Sequence, residues 1–103
     1  MKFNEYQNQT VVTAKSNIKN DEAYLALGLV GEAGEVAEKI KKSIRDGVLD
    51  VAGLQKELGD VLWYVSMLGL RFGFDLEGIA KMNLHKLNDR KSRNKVSGNG
   101  DDR

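Results

Sequence analysis

The stretch Leu25-Ala-Leu-Gly-Leu-Val-Gly-Glu-Ala-Gly-Glu-Val-Ala-Glu-Lys-Ile40 decides how this chain folds. At about 100° per residue, Leu25, Leu29, Ala33, Val36, Ala37 and Ile40 share one face of a helix. The same spacing recurs further on, where Leu54, Leu58, Val61, Leu62, Val65 and Leu68 line up. Such patterns bury one side of each helix against a partner. Between them Asp46-Gly47 stops the first helix, and only a short turn to about Gly53 precedes the second. Two antiparallel helices joined by a short turn are the simplest arrangement.

Working outward, Asn20 or Asp21 can cap the first of these helices, which runs to about Arg45. The second runs from about Ala52–Leu54 to Arg71 or Phe72, with Gly73 suited to a left-handed residue just past its end. A short polar helix is expected before them, from about Phe3 to Ser16. A last helix follows Asp75, a good N-cap, and runs to about Arg93. The expected fold is all-α: an antiparallel bundle of about four helices in a single domain, residues 1–96. The Ser-Gly-Asn-Asp tail from Ser97 to Arg103 is expected to be disordered. There is no proline, and eleven glycines supply the breaks.

Two acidic pairs interrupt the central helices. Glu32 and Glu35 lie on the first, and Glu57 and Asp60 on the second, each pair spaced i, i+3 so that both carboxylates point the same way. Glu32 and Glu57 sit at the margin of the apolar stripe, with Glu35 and Asp60 just outside it. If the stripes pack together, the four carboxylates converge. Like charges so placed repel, more strongly beside a core than in water. A hard divalent cation removes that conflict, since carboxylate oxygens are its preferred ligands. Magnesium is in turn the usual partner of polyphosphate substrates. The plainer reading is solvated surface acids paired with Lys39, Lys41 and Lys42. One such pair would favour it, but two pairs flanking apolar stripes on adjacent helices favour the metal. Glu38 lies furthest from the stripe and reads as a bystander, paired with Lys42.

Composition narrows the alternatives. With no cysteine and one histidine, His85, thiolate zinc sites, disulfides, cysteine nucleophiles and multi-histidine sites within one chain are excluded. A net charge of +1 lacks the basic excess of a dedicated nucleic-acid binder. No apolar run reaches a membrane span, and Met1 to Gln9 lacks an apolar signal core. A cytoplasmic location is the default expectation. One domain of 103 residues buries a limited share of its surface alone, so homo-oligomerisation is expected to complete the bundle.

The residues resemble the MazG-type nucleotide pyrophosphohydrolases of the all-α NTP pyrophosphatase superfamily. Gly31-Glu32-Ala-Gly-Glu35-Val-Ala-Glu38-Lys39 looks like that family's ExxE motif, and Glu57-Leu-Gly-Asp60-Val-Leu-Trp-Tyr64 like its ExxD motif. Phe72-Gly-Phe-Asp-Leu76 resembles the link into the last helix, and Asn83-Leu-His-Lys86-Leu-Asn-Asp-Arg90 the N-x-x-K-x-x-x-R stretch. The resemblance covers about Leu25 to Arg93. It implies a helical bundle that forms homodimers or homotetramers. It implies Mg2+, with Mn2+ as a substitute, held by Glu32, Glu35, Glu57 and Asp60. It implies hydrolysis of a nucleoside triphosphate to the monophosphate and pyrophosphate, for house-cleaning or nucleotide-pool control. Lys86 and Arg90 would contact the triphosphate and Asn83 the metal-phosphate end or the nucleotide, with Lys39 and Trp63 as further substrate-binding candidates. The tyrosine or proline that many members carry after the last arginine is missing; Lys91, Arg93 and Lys95 stand there instead.

Trp63, Met67 and Leu70 form a second apolar side on their helix. It reads as a subunit interface ahead of a nucleobase pocket. Gly28, Gly31 and Gly34 read as close helix packing ahead of room for a ligand. Tyr64 reads as core, Tyr6 as core or interface, and His85 as a surface residue. Two other functions compete with the enzyme: a catalytically inactive helical interaction module, and nucleic-acid association through the basic last helix.

Overall fold

In the computed structural model, which describes residues 1–103, the chain is all helix and turn. Four helices follow one another: α1 Phe3–Thr13, α2 Glu22–Asp46, α3 Val51–Arg71 and α4 Leu76–Ser92. The expected order and number hold. α1 ends before Ser16, because Ala14 turns to extended backbone.

The starts of the later helices are set by aspartates. Asp21 accepts from the Tyr24 amide, Asp50 from that of Gly53, and Asp75 from that of Gly78. Each satisfies an amide that the first helical turn leaves without a partner. Gly47 closes α2 at φ 75°, and Gly73 follows α3 at φ 79°, both left-handed conformations that favour glycine. Only four residues, 47–50, separate α2 from α3, so the two fold back as an antiparallel hairpin. Arg71 pairs with Glu22 at 2.7 Å across its open end.

α3 is the centre of the fold. It packs on α2 most extensively and also meets α1 and α4, whereas α4 touches α1 and α3 but not α2. The side of α3 read as a subunit interface is covered in part within the chain. α1 lies there: Trp63 Nε1 donates to Thr13 Oγ1 at 2.7 Å, and Met67 is buried. Periodicity shows that a second side must be covered, not by which partner. Leu70 stays partly exposed.

α1 is held by polar contacts, which explains why its sequence looks uninformative. The buried Gln7 amide donates to the Phe74 carbonyl at 3.0 Å and the Ser66 carbonyl at 3.3 Å. Its oxygen accepts from the Leu76 amide at 3.0 Å. Thr10 and Ser66 hydroxyls meet at 2.7 Å in the same buried layer.

The three glycines of α2 part company. A Cβ at Gly28 would lie 2.1 Å from Tyr64 Cε1, so this glycine admits the Tyr64 ring. Gly31 and Gly34 face open space. Gly28→Ala therefore forces the half-buried ring to move, at about 1–3 kcal/mol. Gly31→Ala should gain about 0.5–1 kcal/mol from the helix alone. Urea midpoints moving in opposite directions for the two variants would bear this out.

The chain is open for its size. Its accessible surface is 7631 Å², where about 5,800 Å² is usual for a folded monomer of this mass. Its radius of gyration is 16.2 Å against about 13 Å for a compact chain. Leu27, Val30, Ile44, Val48 and Met82 are each at least 70% exposed.

Candidate metal centre

The hairpin brings three of the four expected carboxylates together. Glu32 of α2 and Glu57 and Asp60 of α3 each offer an oxygen within 4.8 Å of the others. Glu32 and Glu57 are partly buried and Asp60 is exposed. Glu35 lies outside this triad on the exposed side of α2. A step of i, i+3 leaves about 60° of rotation on a helix, enough to carry Glu35 off the α3-facing margin. Its charge still reaches Glu32.

Glu32 registers the crowding. Burial, then the charges of Asp60, Glu57 and Glu35, hold its carboxyl above the ordinary value. No cationic side chain pairs with the triad: the ion pairs of the chain lie elsewhere. An all-carboxylate, partly buried donor set without a counter-cation fits a hard divalent ion.

The raised Glu32 gives a pH dependence with a definite sign. In the metal-free protein the folded state holds this proton more tightly than the unfolded chain does. The associated stability is present below the unfolded pKa, about 4.3, and is lost as pH rises through the raised folded value. Glu32→Gln keeps a neutral group at all pH. Its stability advantage over wild type in EDTA should therefore widen between about pH 4 and 7 and shrink when magnesium is added. Paired urea titrations across that range measure it, and a constant gap would contradict it.

Two tyrosines border the triad. Tyr64 is raised by burial, then by Tyr24, and then by Glu32 and Asp60; Tyr6 is raised by burial and then by Asp60. Both phenols stay protonated beside carboxylates. Periodicity places Tyr64 near the core, but gives no sign that α1 carries Tyr6 to this rim.

The remaining candidates are dispersed. Lys39 bonds to Asp50 at 3.2 Å, bracing the hairpin turn. Glu38 pairs with Lys41 rather than Lys42. Asn83 is exposed on α4 and lines a broad groove of about 920 Å³ with Phe74, Ile79, Met82 and Lys86. Lys86 and Arg90 share Asp101, at 2.9 and 3.3 Å, rather than any member of the triad. His85 is exposed, as read. No helix is long and apolar enough to cross a membrane.

Residues 20–94 match the profile of the MazG nucleotide pyrophosphohydrolase domain. The chain belongs to the MazG family. It is also similar to the Gene 37 protein of Mycobacterium phage L5, at 46% identity over 86 residues, covering 79% of this chain and 75% of that protein. No solved structure matches it. The MazG segment contains the whole triad, Glu35, Asn83, Lys86 and Arg90, while α1 and the 97–103 tail lie outside it. The MazG hairpin thus supplies the carboxylates, and α1 adds Tyr6 beside them.

Proposed function

We propose that this protein is a Mg2+-dependent nucleoside triphosphate pyrophosphohydrolase, converting a (d)NTP and water to the (d)NMP and pyrophosphate in the cytoplasm, in house-cleaning or nucleotide-pool control. The observation that carries the reading is the uncompensated triad Glu32, Glu57 and Asp60 on a MazG hairpin.

Glu32, Glu57 and Asp60 would hold the ion, with Glu35 one turn away on the open side, placed to act as a further ligand or as general base. When bound, the divalent ion would supply Lewis-acid stabilisation of phosphate charge and lower the pKa of water. The chain's own part is positioning. Its carboxylates would hold the cation, Glu32 and Glu57 from partly buried positions and Asp60 from the exposed side. Protonated Tyr6 and Tyr64 offer donors to phosphate oxygens at the rim. Lys86 and Arg90 are the cations for the triphosphate, with Asn83 beside them and Trp63 and Lys39 as further substrate contacts.

The working form we propose is a homodimer or homotetramer. Surface in excess of a compact monomer by about 1,900 Å² is on the scale that a stable interface removes. The exposed apolar residues of α2 and α4 supply its chemistry.

A pyrophosphate-release screen over canonical and modified NTPs and dNTPs, with Mg2+ or Mn2+, tests the reaction and identifies the base. Turnover with at least one nucleotide, abolished by EDTA, is expected. Silence across the panel would overturn the enzyme reading in favour of an inactive interaction module. Sedimentation equilibrium at micromolar concentration reads the assembly directly.

A further inference from the structure

Beyond Asn94, at φ 56°, the chain turns back along α4 and lays residues 97–103 against its C-terminal half. Gly98 and Gly100 take positive φ values of 140° and 82°, and Arg103 closes the loop by donating to the carbonyls of Val96, Lys95 and Gly100. The result is a cavity of about 300 Å³ between α4 and the tail, lined by no hydrophobic residue, with Lys86, Arg90 and the Asp89–Arg93 pair on the α4 side and Asp101, Asp102 and Arg103 on the other.

Lys86 and Arg90 stand one turn apart, and the Asp101 carboxylate bridges them. Arg90 also donates to the Asp101 carbonyl. Two features mark this as an anion site with a replaceable occupant. The Arg90 side chain is only 5% exposed, yet its Nε has no partner. A buried guanidinium with an unused donor is costly for a purely structural contact, and a single carboxylate already shared with Lys86 does not fill it. The Asp101 side chain, by contrast, is 81% exposed, and its pair with the partly exposed Lys86 is a screened ion pair of small worth. The two cations hold its carboxyl below the ordinary carboxylate range.

We propose that Asp101 is a built-in competitor for an anion site made by Lys86 and Arg90, and that the phosphates of a polyphosphate ligand bind there by displacing the 97–103 segment. This deepens the pyrophosphohydrolase reading, because those two cations are its triphosphate contacts. A phosphate group presents three acceptor oxygens where a carboxylate presents two, so the exchange offers more acceptors to the donors of Lys86 and Arg90. The tail lies outside the MazG segment, so the competitor is an addition to the domain. An internal occupant lowers apparent affinity by the fraction of time it holds the site.

Inorganic tripolyphosphate, titrated calorimetrically into the full chain without divalent metal, tests the site apart from catalysis. Asp101→Asn should tighten binding about two- to fivefold, the scale of losing exposed ion pairs. Asp102→Asn, the same charge change one residue away, should not. Lys86→Gln should weaken binding in both the wild-type and Asp101→Asn backgrounds. On wild type, tripolyphosphate should shift the Gly98 and Gly100 amide resonances. Equal affinities for wild type, Asp101→Asn and Asp102→Asn would overturn the proposal. So would equal tightening by both aspartate variants, or no detectable binding by any of them. If the nucleotide panel is silent while Asp101→Asn alone tightens tripolyphosphate, the competitor stands and the hydrolase reading falls. If hydrolysis occurs, Asp101→Asn should lower KM with kcat unchanged.

Discussion

Glu57→Gln is expected to cut pyrophosphate release by at least about a hundredfold while making the metal-free protein more stable. Changes to groups that merely orient a metal ligand already cost about 10–100-fold, and Glu57 is proposed as a ligand itself. Asp60→Asn should behave alike. The stability effect has the opposite sign because the triad is a set of like charges within 4.8 Å, with no cation to pair with. Neutralising one member relieves repulsion worth on the order of 1 kcal/mol at this partly solvated site. In a domain of this size that is a Tm rise of about 4–8 °C. Magnesium should reverse the order: ion at a hundred times its Kd stabilises wild type by about 2.7 kcal/mol, and the variant should gain little. Thermal melts with EDTA and with magnesium, set beside turnover, give all three quantities. A variant that loses activity, loses metal-free stability and still responds to magnesium would show Glu57 to be structural.

Gln7→Leu is expected to be the most damaging single change of stability outside the apolar residues. Leucine fills much of the same volume but leaves the Leu76 amide and the Phe74 carbonyl without their partner, and removes a second donor from the Ser66 carbonyl. Buried groups left unpaired cost about 1–3 kcal/mol each. A total of about 2–5 kcal/mol is a large part of the stability of a small domain, and should lower Tm by on the order of 10–20 °C. The effect should reach the site as well. Gln7 anchors the helix that carries Tyr6, whose phenol feels Asp60. Any Gln7→Leu protein that remains folded should therefore show weakened metal-dependent activity. Denaturant unfolding together with activity per folded molecule separates the two losses. An unchanged midpoint would show that α1 is held by something other than this latch.

The fold was legible because its signals are local. An i, i+3, i+4 apolar stripe, an aspartate before α2, α3 and α4, and a glycine after α2 and α3 act over a single turn. They place α2, α3 and α4 within a residue or two. α1 was legible only as a helix. Its attachment uses the side-chain amides of Asn4 and Gln7 and the hydroxyls of Thr10 and Thr13, whose partners lie 50 to 73 residues away, and scattered polar residues carry no periodic signal. The reading of Trp63 and Met67 as an interface has the same origin. A second apolar side demands a cover, but whether the cover is α1 or another subunit is a matter of chain path.

The acidic cluster shows where the division falls. The sequence by itself determined that an oxygen-rich site, rather than a thiolate or histidine one, sits on a helical hairpin. Residue type and i, i+3 spacing suffice for that, since they put each carboxylate pair on one side of its helix. Only the tertiary structure decided which acids meet. Convergence depends on the rotation of α2 and α3 about their axes, and that rotation brings Glu32, Glu57 and Asp60 within reach while leaving Glu35 to solvent. It likewise decided that Lys86 and Arg90 are held by Asp101, because the backbone turn after α4 returns the tail to a helix face whose positive charge the sequence already displayed.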